Sequence, residues 1–193
     1  MSDDAGRAGE PRDRLERGGW TLSEDTTETL FSLPTARVEG HTRLYEDPEL
    51  REAIREAGGP DHVWRFFFAT DVTFEPPLGP GVGPMIQPSV TSEAKRRFAD
   101  DLRDRGFEDV KKGSTQSYRV DGSRARITPF GARYPVEGGE IGIRGYLAVW
   151  RDGGFRLAGG AYPDSGLEAV LGETPAGAEA YRDELLALIR SVG

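Results

Sequence analysis

Three arginines, Arg119, Arg124 and Arg126, flank an Asp121-Gly122 pair. Asp-Gly is the pair that a two-residue hairpin turn selects, because both positions take a positive φ. A turn there sets Tyr118 opposite Ala125 and Val120 opposite Ser123, and leaves the three arginines together on the other strand face. Planar guanidiniums at that spacing can grip phosphate or carboxylate oxygens two at a time. Lys111, Lys112, Arg133 and Arg144 lie nearby in the chain, with Tyr118, Phe130 and Tyr134 among them. Basic residues interleaved with aromatics loosely suit a nucleic-acid platform. The alternative is that the arginines pair with the acidic residues Glu93, Asp100, Asp101 and Asp104.

Residues 76–88 hold five prolines and three glycines. The glycines allow a ligand close to the backbone, and Val82, Met85 and Ile86 would form an apolar tip. The stretch is no Walker A loop, because no Gly-Lys-Ser/Thr follows, and no dinucleotide fingerprint, because Pro84 stands at the third glycine. Its prolines also remove backbone donors that a phosphate needs. It reads as a rigid loop that could cover a pocket or contact a partner. A third group, Arg65, Phe67 and Asp71, shares one face of an aromatic strand and could line a pocket with Tyr146, Arg156 and Tyr162. An acid, a base and tyrosines suffice for simple proton transfer. A buried Arg–Asp pair is the plainer reading.

Other chemistries find no residues. Cysteine is absent, which removes disulfides, thiolate metal sites and thiol nucleophiles. The two histidines, His41 and His62, read as surface residues on an edge strand and in a loop. Neither a Gly-x-Ser-x-Gly elbow nor a His-Glu-x-x-His helix occurs. No catalytic residue, metal ligand or cofactor is expected.

The 193 residues suit one domain and carry a net charge of −8. The basic and acidic groups are unevenly spread: residues 111–156 contain nine basic and four acidic side chains in an acidic chain. Only Lys95, Lys111 and Lys112 are lysines, and asparagine is absent. Scarce lysine with abundant arginine, carboxylate and glycine looks like proteins of salt-loving archaea, in which salt screens the repulsion among surface carboxylates. The N-terminus lacks the apolar core of a signal peptide, and no stretch approaches 18 apolar residues, so a cytoplasmic protein with no membrane partner is expected.

The elements follow from periodicity. Residues 1–18 read as a disordered polar tail, and 19–193 as a single domain. Alternation from Glu28 to Tyr45 around Pro34 predicts two strands. Asp47-Pro48 opens a helix closed by Gly58-Gly59. Val63–Phe74 predicts a strand, and Val90–Arg105 a helix with Val90, Ala94, Phe98 and Leu102 inward. Strands follow around Asp121-Gly122 and around Arg151–Gly154, with residues 146–150 central because both faces are apolar. Leu167–Leu171 suits one helical turn, and Thr174-Pro175 caps a final helix. The order ββαβ-loop-αββββα predicts an α+β fold, a largely antiparallel sheet flanked by amphipathic helices.

The segments Trp64–Phe67, 76–88, Gly145–Trp150 and Gly154–Pro163 resemble a family of uncharacterised haloarchaeal proteins over roughly residues 20–192. More distantly, the element order is similar to the PsbP/Mog1-like α/β/α sandwich, whose members act mainly as binding and assembly factors. Together with the residues, this implies a salt-adapted, non-enzymatic binding or assembly module for an anionic or protein partner. Its contact surface would be Arg119, Arg124 and Arg126 with the Val82–Ile86 tip, and nucleic acid is not expected at this net charge. The alternative is a small enzyme or carrier of a small anion, with Arg65 and Arg156 in a pocket between sheet and helix.

Overall fold

The computed structural model describes residues 9–173 and 177–193. Among them the chain forms one eight-stranded sheet and five helices. The hairpin β1 (Thr21–Leu33) and β2 (Ala36–Glu46) turns at Pro34-Thr35, and α2 (Pro48–Glu56) follows α1 (Arg12–Arg17) in chain order. Asp47 is the N-cap of α2: its Oδ1 accepts from the Glu49 and Leu50 amides at 3.0 and 3.2 Å. Next come β3 (Phe66–Glu75), α3 (Val82–Asp104), β4 (Glu108–Lys112), β5 (Gln116–Val120), β6 (Ser123–Val136), β7 (Gly139–Asp152), β8 (Gly154–Ser165), α4 (Glu168–Leu171) and α5 (Ala178–Arg190).

The sheet order is β1-β2-β3-β8-β7-β6-β4, with β5 also on β6, and every pairing is antiparallel. The expected α+β architecture is therefore observed. The central strands are buried on both faces, as their continuous apolar runs require. On one face Phe98 of α3 packs its ring 5.7 Å from Phe68 and 4.9 Å from Phe130. On the other, Leu185 of α5 lies over Gly160, where a Cβ would also meet the Phe66 carbonyl oxygen at 2.1 Å. Glycine there lets helix and strand approach.

Three expectations change. The 76–88 stretch is not all loop, because α3 begins at Val82. Gly81, at φ 78°, turns the chain sharply into it. Pro84 falls in the first turn, where a backbone N–H has no intrahelical acceptor, and Pro88 costs a single bond. In return the helix stripe Val90-Ala94-Phe98-Leu102 extends back through Ile86 to Val82 at four-residue spacing. Secondly, four strands were expected after α3 and five form, because Glu108–Lys112 pairs with the far end of β6. Thirdly, the 1–18 tail is ordered from Gly9 onward. Leu15 of α1 is buried, Glu10 pairs with Arg43 of β2, and the Gly9 and Gly193 backbones bond to each other. Residues 1–8 and the Thr174-Pro175 cap lie outside the described residues.

One charged group joins these layers. Arg65, buried just before β3, donates to Asp47 Oδ2 at 2.5 Å and to Glu184 Oε2 of α5 at 2.6 Å. Its guanidinium lies 4.0 Å from the Tyr181 ring centre and 4.8 Å from that of Trp20. Trp20 in turn donates to Glu184 Oε1 at 2.9 Å. Asp47→Ala removes both the cap of α2 and a carboxylate from this charge, and is expected to lower the unfolding free energy by about 3 kcal/mol. Asp47→Asn keeps the cap acceptor and is expected to cost less. Urea unfolding followed by tryptophan fluorescence separates them, and equal losses would contradict the double role.

Candidate functional site

The turn between β5 and β6 has Asp121 at φ 42° and Gly122 at φ 79°, the positive angles that the hairpin demands. It holds the register Arg119↔Arg124, Tyr118↔Ala125 and Ser117↔Arg126. Arg119, Arg124 and Arg126 are all exposed on one side of the sheet's edge. With Ser117, Tyr118 and Arg190 they line an open recess of about 640 Å³. Arg190 reaches in from α5 with its guanidinium 5.1 Å from the Tyr118 ring centre.

None of these four arginines makes an ion pair among the described residues. Arg119 donates only to the Gly122 carbonyl of its own turn, at 3.1 Å. The carboxylates expected to neutralise them are directed elsewhere. Glu93 pairs with Arg96, and Asp100 with Arg96 and Arg103, along the outer face of α3. Asp101 and Asp104 face a different cavity. Lys111 and Lys112 continue the exposed basic edge along β4.

The Val82–Ile86 segment belongs to the first turns of α3. Ile86 packs partly on the core, Val82 is half-buried, and Met85 is 80 % exposed. Gly83 lies against the Arg151 guanidinium, and Arg151 follows Trp150, the ladder partner of Ala125. The start of α3 and the arginine recess therefore occupy the same end of the sheet.

Arg65 and Arg156 do not meet in a pocket. Arg65 is held by Asp47 and Glu184, whereas Arg156 lies 3.5 Å from both Asp71 and Asp152. Tyr162 is buried, and that burial, with the neighbouring Tyr146, raises its hydroxyl pKa. These groups knit strands together and leave no open acid–base pair. The sequence showed an Arg and an Asp near aromatics, but which partner each reaches depends on α5 and on the turn after β7.

His41 pairs with Asp25 at 3.1 Å and shares a 2.9 Å bond with Thr27 across the β1–β2 ladder. His62 is not the surface residue expected. It stacks on Tyr134 at 4.9 Å and meets Phe107 and Trp64 edge-on at 4.9 and 5.0 Å. Burial, assisted by Arg105 and Arg51, pushes its pKa down to about 4. Among the described residues no group of three or more His, Asp or Glu is placed to hold a metal ion. No helix among them is long and apolar enough to cross a membrane.

A cavity of about 380 Å³ between α3 and the β1–β3 side of the sheet was not foreseen. Its walls come from six separate elements, so no local run announces it. The signal present was a helix stripe too narrow to cover an eight-stranded sheet.

Residues 7–193 match the family described as a domain of unknown function, DUF6517, and the chain belongs to that family. No curated protein and no solved structure matches the chain.

The His62 environment sets a pH dependence. Because its folded pKa of about 4 lies below the ordinary 6.5, the unfolded chain takes up the proton first as pH falls. Stability that is complete above pH 6.5 is therefore lost as pH falls through about 4. Between pH 7 and 4, wild type is expected to lose about 2 kcal/mol more than His62→Phe, at roughly 1.4 kcal/mol per unit with part screened by solvent. Urea titrations across that range measure it, and parallel pH profiles would refute it.

Proposed function

We propose that this DUF6517 protein is a non-enzymatic binding module that takes an acidic segment of a protein partner along its arginine edge. The observation that carries the reading is the unpaired state of Arg119, Arg124 and Arg126 in a chain of net charge −8. Elsewhere carboxylates lie against guanidiniums: Arg65, Arg96, Arg97 and Arg133 each have one within 2.6 Å. Clustered guanidiniums repel one another, and nothing in the fold gains from leaving them so. A carboxylate-bearing partner relieves that repulsion and accepts bidentate bonds.

The rest of the surface shapes the choice of partner. An overall negative protein repels a long polyanion at a distance, which disfavours nucleic acid and favours a short acidic segment that meets only the basic edge. The exposed Met85 at the same end of the sheet adds an apolar contact beside the charges. The scarcity of lysine beside 33 acidic residues supports a cytoplasmic home in a salt-adapted cell such as a haloarchaeon.

The test is fluorescence anisotropy with a labelled hexaglutamate peptide, comparing wild type with the triple variant Arg119→Ser, Arg124→Ser, Arg126→Ser. The variant is expected to bind at least about tenfold more weakly. Its unfolding free energy is expected to stay within about 0.5 kcal/mol of wild type, because the one bond these side chains donate, from Arg119 to the Gly122 carbonyl, is exposed. Equal peptide affinity in the two proteins would refute the proposal.

A further inference from the structure

The cavity beneath α3 is a site of a different kind from the arginine edge and is independent of it. Helix α3 seats on the sheet through Phe98, whose ring reaches Phe68 of β3 and Phe130 of β6, and toward β1 the face is crossed only by its flank. Phe68 consequently remains half-buried, and buried apolar side chains of β2, β3, β7 and β8 form the floor beneath it. The volume of about 380 Å³ lies within the roughly 300–1,000 Å³ of small-molecule sites. In the floor, the Thr42 and Thr70 hydroxyls bond to each other at 2.8 Å.

The rim decides the sign of the occupant. Glu24, Glu28, Asp101 and Asp104 stand against Arg97 and Arg105. Arg97 is committed to Glu28 at 2.6 Å and to the Leu30 carbonyl at 3.1 Å. Arg105 lies over the Phe66 ring, its guanidinium carbon 4.4 Å from the ring centre. Three carboxylates then face one guanidinium. Asp101 is half-buried on the wall; its carboxylate makes no hydrogen bond or ion pair among the described residues and feels Arg97 and Arg105 only at longer range. Its burial raises its carboxyl pKa, the mark of a charge that lacks a close counter-ion.

We propose that this cavity binds a small molecule with an apolar body and one cationic amine, the body on Phe66, Phe68 and Phe98 and the ammonium on Asp101. The charge is opposite to that of the small anion expected from the sequence. The aromatic rings take the apolar body, and a carboxylate partly freed from water by the wall strengthens the charged bond.

The test uses amide NMR titrations of the full chain with 4-phenylbutylammonium, 4-phenylbutanol and 4-phenylbutanoate. The ammonium is expected to shift and saturate the Thr42, Phe68, Thr70 and Asp101 amides. The alcohol is expected to bind about tenfold more weakly and the carboxylate not at all. Asp101→Asn, which keeps the shape of the side chain, is expected to cut ammonium affinity about tenfold and leave the alcohol unchanged. The proposal is overturned if none of the three shifts these amides, if the carboxylate binds as well as the ammonium, or if Asp101→Asn leaves ammonium binding intact.

Discussion

Burying the Arg65 guanidinium takes a permanent charge out of water, and the fold must surround it with partners to survive. The partners come from far apart in the chain. Asp47 comes from the N-cap of α2, Glu184 from α5, and the rings of Trp20 and Tyr181 lie against the charge. Arg65 also offers its carbonyl to the Asp47 amide at 3.1 Å, so side chain and backbone both fix the entry to β3. The start of β1, the cap of α2, the first residues of β3 and the middle of α5 are thereby locked at one point. A chain that misplaces any of them leaves a charge unpaired in the interior.

The same logic sets two groups of arginines in this chain apart. Arg43, Arg65 and Arg156 are largely shielded from solvent and each faces carboxylates held by another element. Arg119, Arg124 and Arg126 stand at an edge and make no ion pair among the described residues. A guanidinium is always charged and prefers planar, two-pronged acceptors, so its pairing state separates scaffold from free surface better than exposure alone. In this reading the −8 charge is no obstacle to an anion-binding edge, because the acidic groups lie on α3, β1 and the α2 region while the basic ones collect around β5 and β6.

Much of the architecture was legible because it is written in local chemistry. Asp47-Pro48 marks a helix start, Asp121-Gly122 a hairpin with its register, and the continuous apolar runs of 146–150 a central strand. What escaped notice depends on contacts made at a distance. Counting prolines hid the first two turns of α3, although Val82 and Ile86 keep the spacing of the buried stripe. The order of residues 9–18 rests on Arg43 and on the far end of the chain, which composition cannot show. His62 does lie in a loop, but not at the surface, because Phe107 and Tyr134 close around it. Of the candidate site residues, the three arginines were legible as a group because one hairpin positions them. Arg65 and Arg156 were misgrouped because their partners belong to different elements.

The division of arginines into scaffold and surface is open to one direct measurement, hydrogen exchange of the arginine Nε–Hε groups by nitrogen-15 NMR near neutral pH. The Arg65 Nε is buried without an acceptor, so its proton is expected to exchange far more slowly than in free arginine. The Nε–Hε groups of Arg119, Arg124 and Arg126 are expected to exchange at close to the free rate. Protection at Arg124 or Arg126 comparable to that at Arg65, or free exchange at Arg65, would contradict the account.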